Sequence, residues 1–347
     1  MTLFLMATAG ALAQGAADFS IQPGALLEPS DLTWGLNTTV GSPAVARYNP
    51  SGNRQILLMF YETQTAAASK ACPAGEWGVG LAYLTNNSLA FADAGAIVSP
   101  GSSFYTCVAA HPAVVQLDAD TFLVYFKAEL DESTCTKNAN FDCVRYPGIG
   151  RVVVDVSFSS NTLTVTPNID SSPVLEDVAQ NMGYPSVMFE DGEYHMVYAE
   201  YPDLYLMSSP FSAFTGATPS VTLSAGAPAT WGDDELFSAS ILCEGTGAYK
   251  LYPGGRIWNT APTFILDQSV GLFESTDLST WSETNKLPYF STQQNYDPEF
   301  RHMDVISANS YADYAIYFSS PVGGGNSIFR AETNSYNWRQ MDNKRCP

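Results

Sequence analysis

The chain has 347 residues, 15 basic and 35 acidic side chains, a formal charge of −20 and 46% hydrophobic residues. That apolar content can offset the entropy of folding, which excludes a disordered chain. A strongly negative field without any basic run excludes nucleic acid as a partner and disfavours an anionic membrane surface. In chain order, the first element is a short apolar run from Leu3 to Leu12, closed by Ala11-Leu12-Ala13. This small-x-small pattern reads as a secretory leader over residues 1–13, cut before Gln14, although no Lys or Arg precedes it; a buried N-terminal strand is the other reading. The remainder, 14–347, is expected to be one secreted domain. No other stretch approaches the ~20 apolar residues of a membrane span, so membrane insertion is not expected.

From Gly41 onward one pattern recurs five times: a proline or small residue, an apolar strand, a turn, then an aromatic strand. The copies cover 41–63, 110–129, 183–201, 237–255 and 301–320. Equivalent positions are Pro43, Pro112, Pro185, Ala239 and Met303. A third strand follows each copy, at 77–85, 148–158, 204–209, 270–276 and 327–333. Turns such as Asp191-Gly192 make the pairs β-hairpins. Repeated antiparallel sheets without helical periodicity predict an all-β fold, a five-bladed β-propeller. A β-sandwich pair is the alternative, but it leaves the repeat unexplained.

Six cysteines, at 72, 107, 135, 143, 243 and 346, lack the paired spacing of a zinc site. In an exported chain they read as disulfides. The expected set is Cys135–Cys143 locally, with Cys72–Cys107 and Cys243–Cys346, though spacing alone leaves the connectivity open. Asn37-Thr38-Thr39 and Asn86-Asn87-Ser88 are N-glycosylation sequons.

Three further motifs carry a resemblance. Ser275-Thr276-Asp277-Leu278-Ser279-Thr280-Trp281 has the form S-x-D-L-x-x-W; Tyr184-Pro185-Ser186-Val187 precedes an Asp-Gly turn; Gly254-Gly255-Arg256 ends the fourth hairpin. Together, over about Val40 to Met341, the chain resembles the five-bladed propellers of glycoside hydrolase family 43 and its sucrose-cleaving relatives. The resemblance implies a carbohydrate ligand and a carboxylate trio. The matching positions hold Ser42 for the general base, Ala113 for the pKa-tuning acid and Ser238 for the general acid, with Glu235 three residues earlier. Glycoside hydrolysis needs two carboxyl groups, and serine cannot replace either.

Propeller geometry turns the starts of the first strands toward a shared channel. The expected ring is Ser42, His111, Tyr184, Ser238 and His302. Strand alternation puts Asp304 on the side of His302, a pair suited to moving protons. The resemblance also implies that His302 stands near a hydrated calcium, as a metal-site residue acting through water. Asp233, Asp234 and Glu235 run into the fourth copy, and Asp234 or Glu235 is the candidate acid. Trp34 and Trp231 are candidate stacking platforms for a sugar at the channel mouth, with packing as their other reading. The expected function is therefore a secreted, monomeric carbohydrate-active protein of glycoside hydrolase type. The alternative is a non-catalytic propeller that binds a glycan or a surface protein.

Overall fold

The recurring prolines account for the local form of each sheet. Proline has no N–H for the ladder, so inside a strand it is confined to bulges and edges. In the computed structural model Pro43, Pro112 and Pro185 each lie inside a break of register. Pairing skips from Gly41 to Ala44, from Ala110 to Ala113 and from Gly183 to Ser186. The fourth and fifth copies break similarly, between Leu236 and Ser238 and between Arg301 and Asp304.

The structure describes residues 20–21, 24–36, 38–50, 54–69, 72, 75–86, 88, 90–101, 104–130, 136–137, 143–144, 148–176, 182–200, 202–225, 235–245, 247–258, 265–286, 301–308, 313–322, 325–332, 337, 339, 341 and 344, with some strand residues, His302 among them, described by backbone alone. Around each bulged strand the chain builds a four-stranded antiparallel meander. Unit I is Val40–Tyr48, Ile56–Ala66, Glu76–Thr85 and Ala92–Val98. Unit II is Val108–Gln116, Thr121–Glu129, Gly148–Ser159 and Thr162–Ile169. Unit III is Met182–Glu190, Glu193–Glu200, Asp203–Ser209 and Val221–Leu223. Unit IV is Glu235–Cys243, Tyr249–Trp258, Ile265–Ser275 and Ser282–Lys286. Unit V is Arg301–Ala308, Asp313–Val322 and Gly325–Glu332, completed by the early strand Ser20–Ile21. One parallel bridge, Trp77 to Val108, joins units I and II. Among the described residues the only helix is the short 3-10 turn Pro29–Asp31, and no helix is long and apolar enough to cross a membrane.

The first strands touch in a closed cycle, unit I to II, III, IV, V and back to I. Each gap between neighbours is filled by its own apolar core. The core between I and II contains Leu58, Phe60, Phe122 and Val124; that between V and I contains Val45, Leu57, Tyr317 and Ile328. Fully burying one such side chain contributes roughly 1.5–3 kcal/mol, so face-to-face packing holds the units together where no ladder joins them. Trp281 packs against the core between III and IV, and its Nε1–H donates to the Leu278 carbonyl at 3.2 Å. Asp277 closes the same turn. The Thr280 and Ser279 N–H groups donate to it and hold its carboxyl at a pKa of about 2.

Cys72 and Cys107 form a disulfide, with Cα atoms 5.5 Å apart. Cys243 is also disulfide-bonded. Residues 1–13, Asn37, Cys135, Cys346 and the side chain of Cys143 lie outside the described residues.

Candidate functional site

The bulges do more than accommodate proline. They force the preceding residue into left-handed backbone, with φ of 46° at Ser42, 51° at His111 and 54° at Tyr184. Positive φ is uncommon outside glycine and costs about 1–3 kcal/mol per site. The result is that these side chains leave the ladder and converge. Ser42, His111, Tyr184 and Ser238 line one small cavity, together with Pro43, Pro112, Pro185 and Ala239. Its volume of about 20 Å³ is room for a single water or hydroxyl group.

Neighbouring units hold this lining in place. Glu62, on the second strand of unit I, reaches across to unit II. Its Oε2 accepts the backbone N–H of His111 at 2.8 Å and lies 3.0 Å from Nδ1 of the ring. An ionised carboxylate only accepts, so Nδ1 carries a proton toward it. Ser42 Oγ is also 3.0 Å from Nδ1. Facing a protonated nitrogen, the serine acts as acceptor there and keeps its own O–H to donate elsewhere. The His111 imidazole stacks on Tyr184, with centroids 4.2 Å apart and planes at 22°. Lys127 sits at the position in unit II that Glu62 holds in unit I, opposite Ala110 as Glu62 is opposite Gly41. It reaches toward unit III, where its Nζ lies 5.8 Å from the Tyr184 centroid, and it pairs with Glu129 of its own strand at 2.6 Å. Burial would lower the Lys127 amine, but Glu129, with Tyr184 and Glu62, more than offsets this and holds it above its ordinary pKa. Gly183 leaves the space, since a Cβ there would come within 2.9 Å of the lysine stem. On the far wall Ser238 is 3% exposed, and its Oγ has no hydrogen-bond partner among the described residues.

The arrangement is not a nucleophile triad. There serine and carboxylate use opposite nitrogens of the imidazole, whereas Ser42 and Glu62 share Nδ1. Nor does the described cavity lining contain a carboxylate. Calcium takes about six to eight oxygen ligands, with carboxylates prominent. The described lining offers hydroxyl, phenol and imidazole groups, so it does not fit that ion. Among the described residues no cluster of three or more His, Cys, Asp or Glu could hold a metal.

The remaining expected site residues fall elsewhere. Asp304 lies two residues beyond the ring position of its strand, 4% exposed, and is not part of the cavity lining. Its partner is Lys344, whose Nζ donates to Oδ1 and also lies 3.1 Å from Ser240 Oγ. The Val45 N–H donates to Asp304 Oδ2 at 2.8 Å. Asp304 is thus committed to a buried ion pair. Trp34 is not at the cavity either. It packs against the core between units V and I, over the glycines at 78 and 80, and donates from Nε1 to Tyr61 Oη at 2.7 Å. The Trp34 side chain fills a trough made by missing Cβ atoms, which is packing and not a platform at the mouth. Glu235 is 9% exposed, opposite Arg256, and does not line the cavity. The side chain of His302, and Asp234 and Trp231 entirely, lie outside the described residues.

No family model and no curated protein matches the chain. Solved structures match it in fold. The β-1,2-mannobiose phosphorylase of Listeria innocua aligns over 91% of this chain and 96% of its own, with a TM-score of 0.58 and 12% identity. Zg3597, a family 117 glycoside hydrolase of the marine bacterium Zobellia galactanivorans, aligns over 92% of each chain, with a TM-score of 0.54 and 9% identity. Trypanosoma rangeli sialidase aligns over 92% of this chain and 60% of its own, with a TM-score of 0.51 and 10% identity. The fold is a β-propeller. At these identities the likeness concerns architecture, and the site must be argued from its own residues.

Proposed function

We propose that the protein is a secreted carbohydrate-binding propeller, with the five meanders as its blades and the cavity at the starts of their first strands as its glycan site. The carrying observation is that Ser42 and Ser238 face one cavity with unspent hydrogen-bonding capacity, while no described carboxylate lines it. One sugar hydroxyl fits the volume, accepting from Ser42 and bonding to Ser238, beside the stacked His111 and Tyr184 rings. Buried polar groups that stay unpaired without ligand make such recognition selective. The described lining supplies no pair of carboxyl groups for glycosidic cleavage, and the reading as a binding site follows from those residues.

A glycan panel screened in parallel for binding and for reducing-sugar release tests this. Binding without release is expected, weakened at least about tenfold in Tyr184→Ala. Release that disappears in Glu62→Gln would instead support hydrolysis, with the Glu62–His111 contact as its proton-handling pair. Unaltered glycan binding by Tyr184→Ala would remove the site from this cavity.

A further inference from the structure

The strand ends opposite the ring carry a second recess, between units I and II. Arg54, Tyr83, Thr85, Asn86, Phe158 and Asn161 contribute to its walls, and its volume is about 540 Å³. That is within the roughly 300–1,000 Å³ of ligand pockets. Tyr83 and Phe158 meet edge to face, with centroids 6.2 Å apart. The Arg54 guanidinium lies 5.7 Å from the Phe158 centroid, and its Nη1 donates to Asn161 Oδ1 at 3.3 Å. Those two contacts hold an exposed cation at the rim, and no described carboxylate pairs with it. Lys127, Arg151, Lys250, Arg330 and Lys344 each touch an acidic partner. Arg54 is thus a cation fixed beside the Phe158 ring in a chain of charge −20, with no described carboxylate in contact. Asn86 is fixed as well, because its Oδ1 accepts from Arg339 Nε at 3.2 Å. Asn86 also opens the sequon Asn86-Asn87-Ser88, so its amide N–H groups are donors in protein that carries no glycan there.

We propose that this recess is a second saccharide site, independent of the ring cavity, selective for sugars that carry a carboxylate. Arg54 pairs with the carboxylate through its planar fork of N–H donors. Tyr83 and Phe158 take the apolar face of the sugar ring, and Asn86 and Asn161 bond its hydroxyls. The occupant is a hexuronate and not a simple anion, because two aromatic rings and two amides accompany the Arg54 guanidinium.

Calorimetric titration with trigalacturonate, uncharged galactotriose and a short oligoglutamate peptide tests the proposal. Trigalacturonate should bind at least about tenfold more tightly than galactotriose, and Arg54→Gln should remove that preference. Arg54 is exposed, so this substitution leaves the core intact. Tyr184→Ala, in the ring cavity, should leave uronate affinity unchanged. The proposal is overturned by equal binding in Arg54→Gln, by no uronate binding in the unaltered protein, or by a loss in Tyr184→Ala. Binding of oligoglutamate as tight as that of the uronate would also overturn it, in favour of an acidic peptide partner.

Discussion

His195, on the second strand of unit III, is 6% exposed, with Nδ1 2.7 Å from Ser208 Oγ. Burial lowers its pKa, and the nearby charge of Glu193 only partly opposes this. The unfolded chain therefore takes up a proton near pH 6.5 while the folded chain still resists it. Between those two pKa values the unfolded state binds more protons, so stability falls as pH falls through about 6.5. The urea midpoint should drop less from about pH 7.5 to pH 5.5 in His195→Phe than in the unaltered protein. An identical drop would show that His195 does not contribute. At this scale the sequence was partly legible. The starts of the first strands named four residues that do converge, because repeat register fixes which backbone positions face the axis. It did not reveal Glu62 or Lys127. Their role depends on reach between units, which exists only once neighbouring sheets are packed. The available signal was a lone charge inside an apolar strand for Glu62 and the Lys127–Glu129 pair at the end of one for Lys127.

The bulged strand is the element on which the site depends, and the prolines made it readable. What could not be read was the late residue that enters behind it, Lys344. Lys344 follows no periodicity, yet its ammonium is 5% exposed and pairs with Asp304, within 3.5 Å of Ser186 Oγ. The Phe189 N–H donates to its carbonyl at 3.1 Å. Asp304 was expected to face an imidazole because alternation gives side but not depth. Removing one partner of a buried pair leaves the other charge uncompensated, at a cost of about 3–5 kcal/mol. Lys344→Ala should lose stability of that order in equilibrium urea unfolding. The double variant Lys344→Met with Asp304→Asn should recover most of it, since neither charge is then buried alone. A double variant as unstable as the single one would mean that packing of the residue, not charge, is what matters.

Across the whole molecule, stability rests on the cores between units. Leu27 is fully buried in the core between V and I and bridges Ile328. Leu27→Ala should cost about 2–5 kcal/mol, read as a lower denaturant midpoint with the slope unchanged. A change under about 0.5 kcal/mol would show that the early segment adds nothing to closure. The architecture was legible because hydrophobic strands and turns repeat. The packing of Trp34 was not, because the glycines that receive it lie in a different strand from the motif around it.

Units I to IV are each made from one continuous stretch, but unit V draws its fourth strand from the opposite end of the sequence. Ser20 pairs with Glu332, and the Leu26 N–H donates to the Ile328 carbonyl at 2.7 Å. The ring therefore has a single seam, held by non-covalent contacts between early and late chain. Closing this joint costs more loop entropy than any hairpin within a unit, since its loop runs from Ser20 to Glu332. A pull applied between Ser20 and Glu332 would load that short pairing directly, parting the seam before any hairpin is loaded.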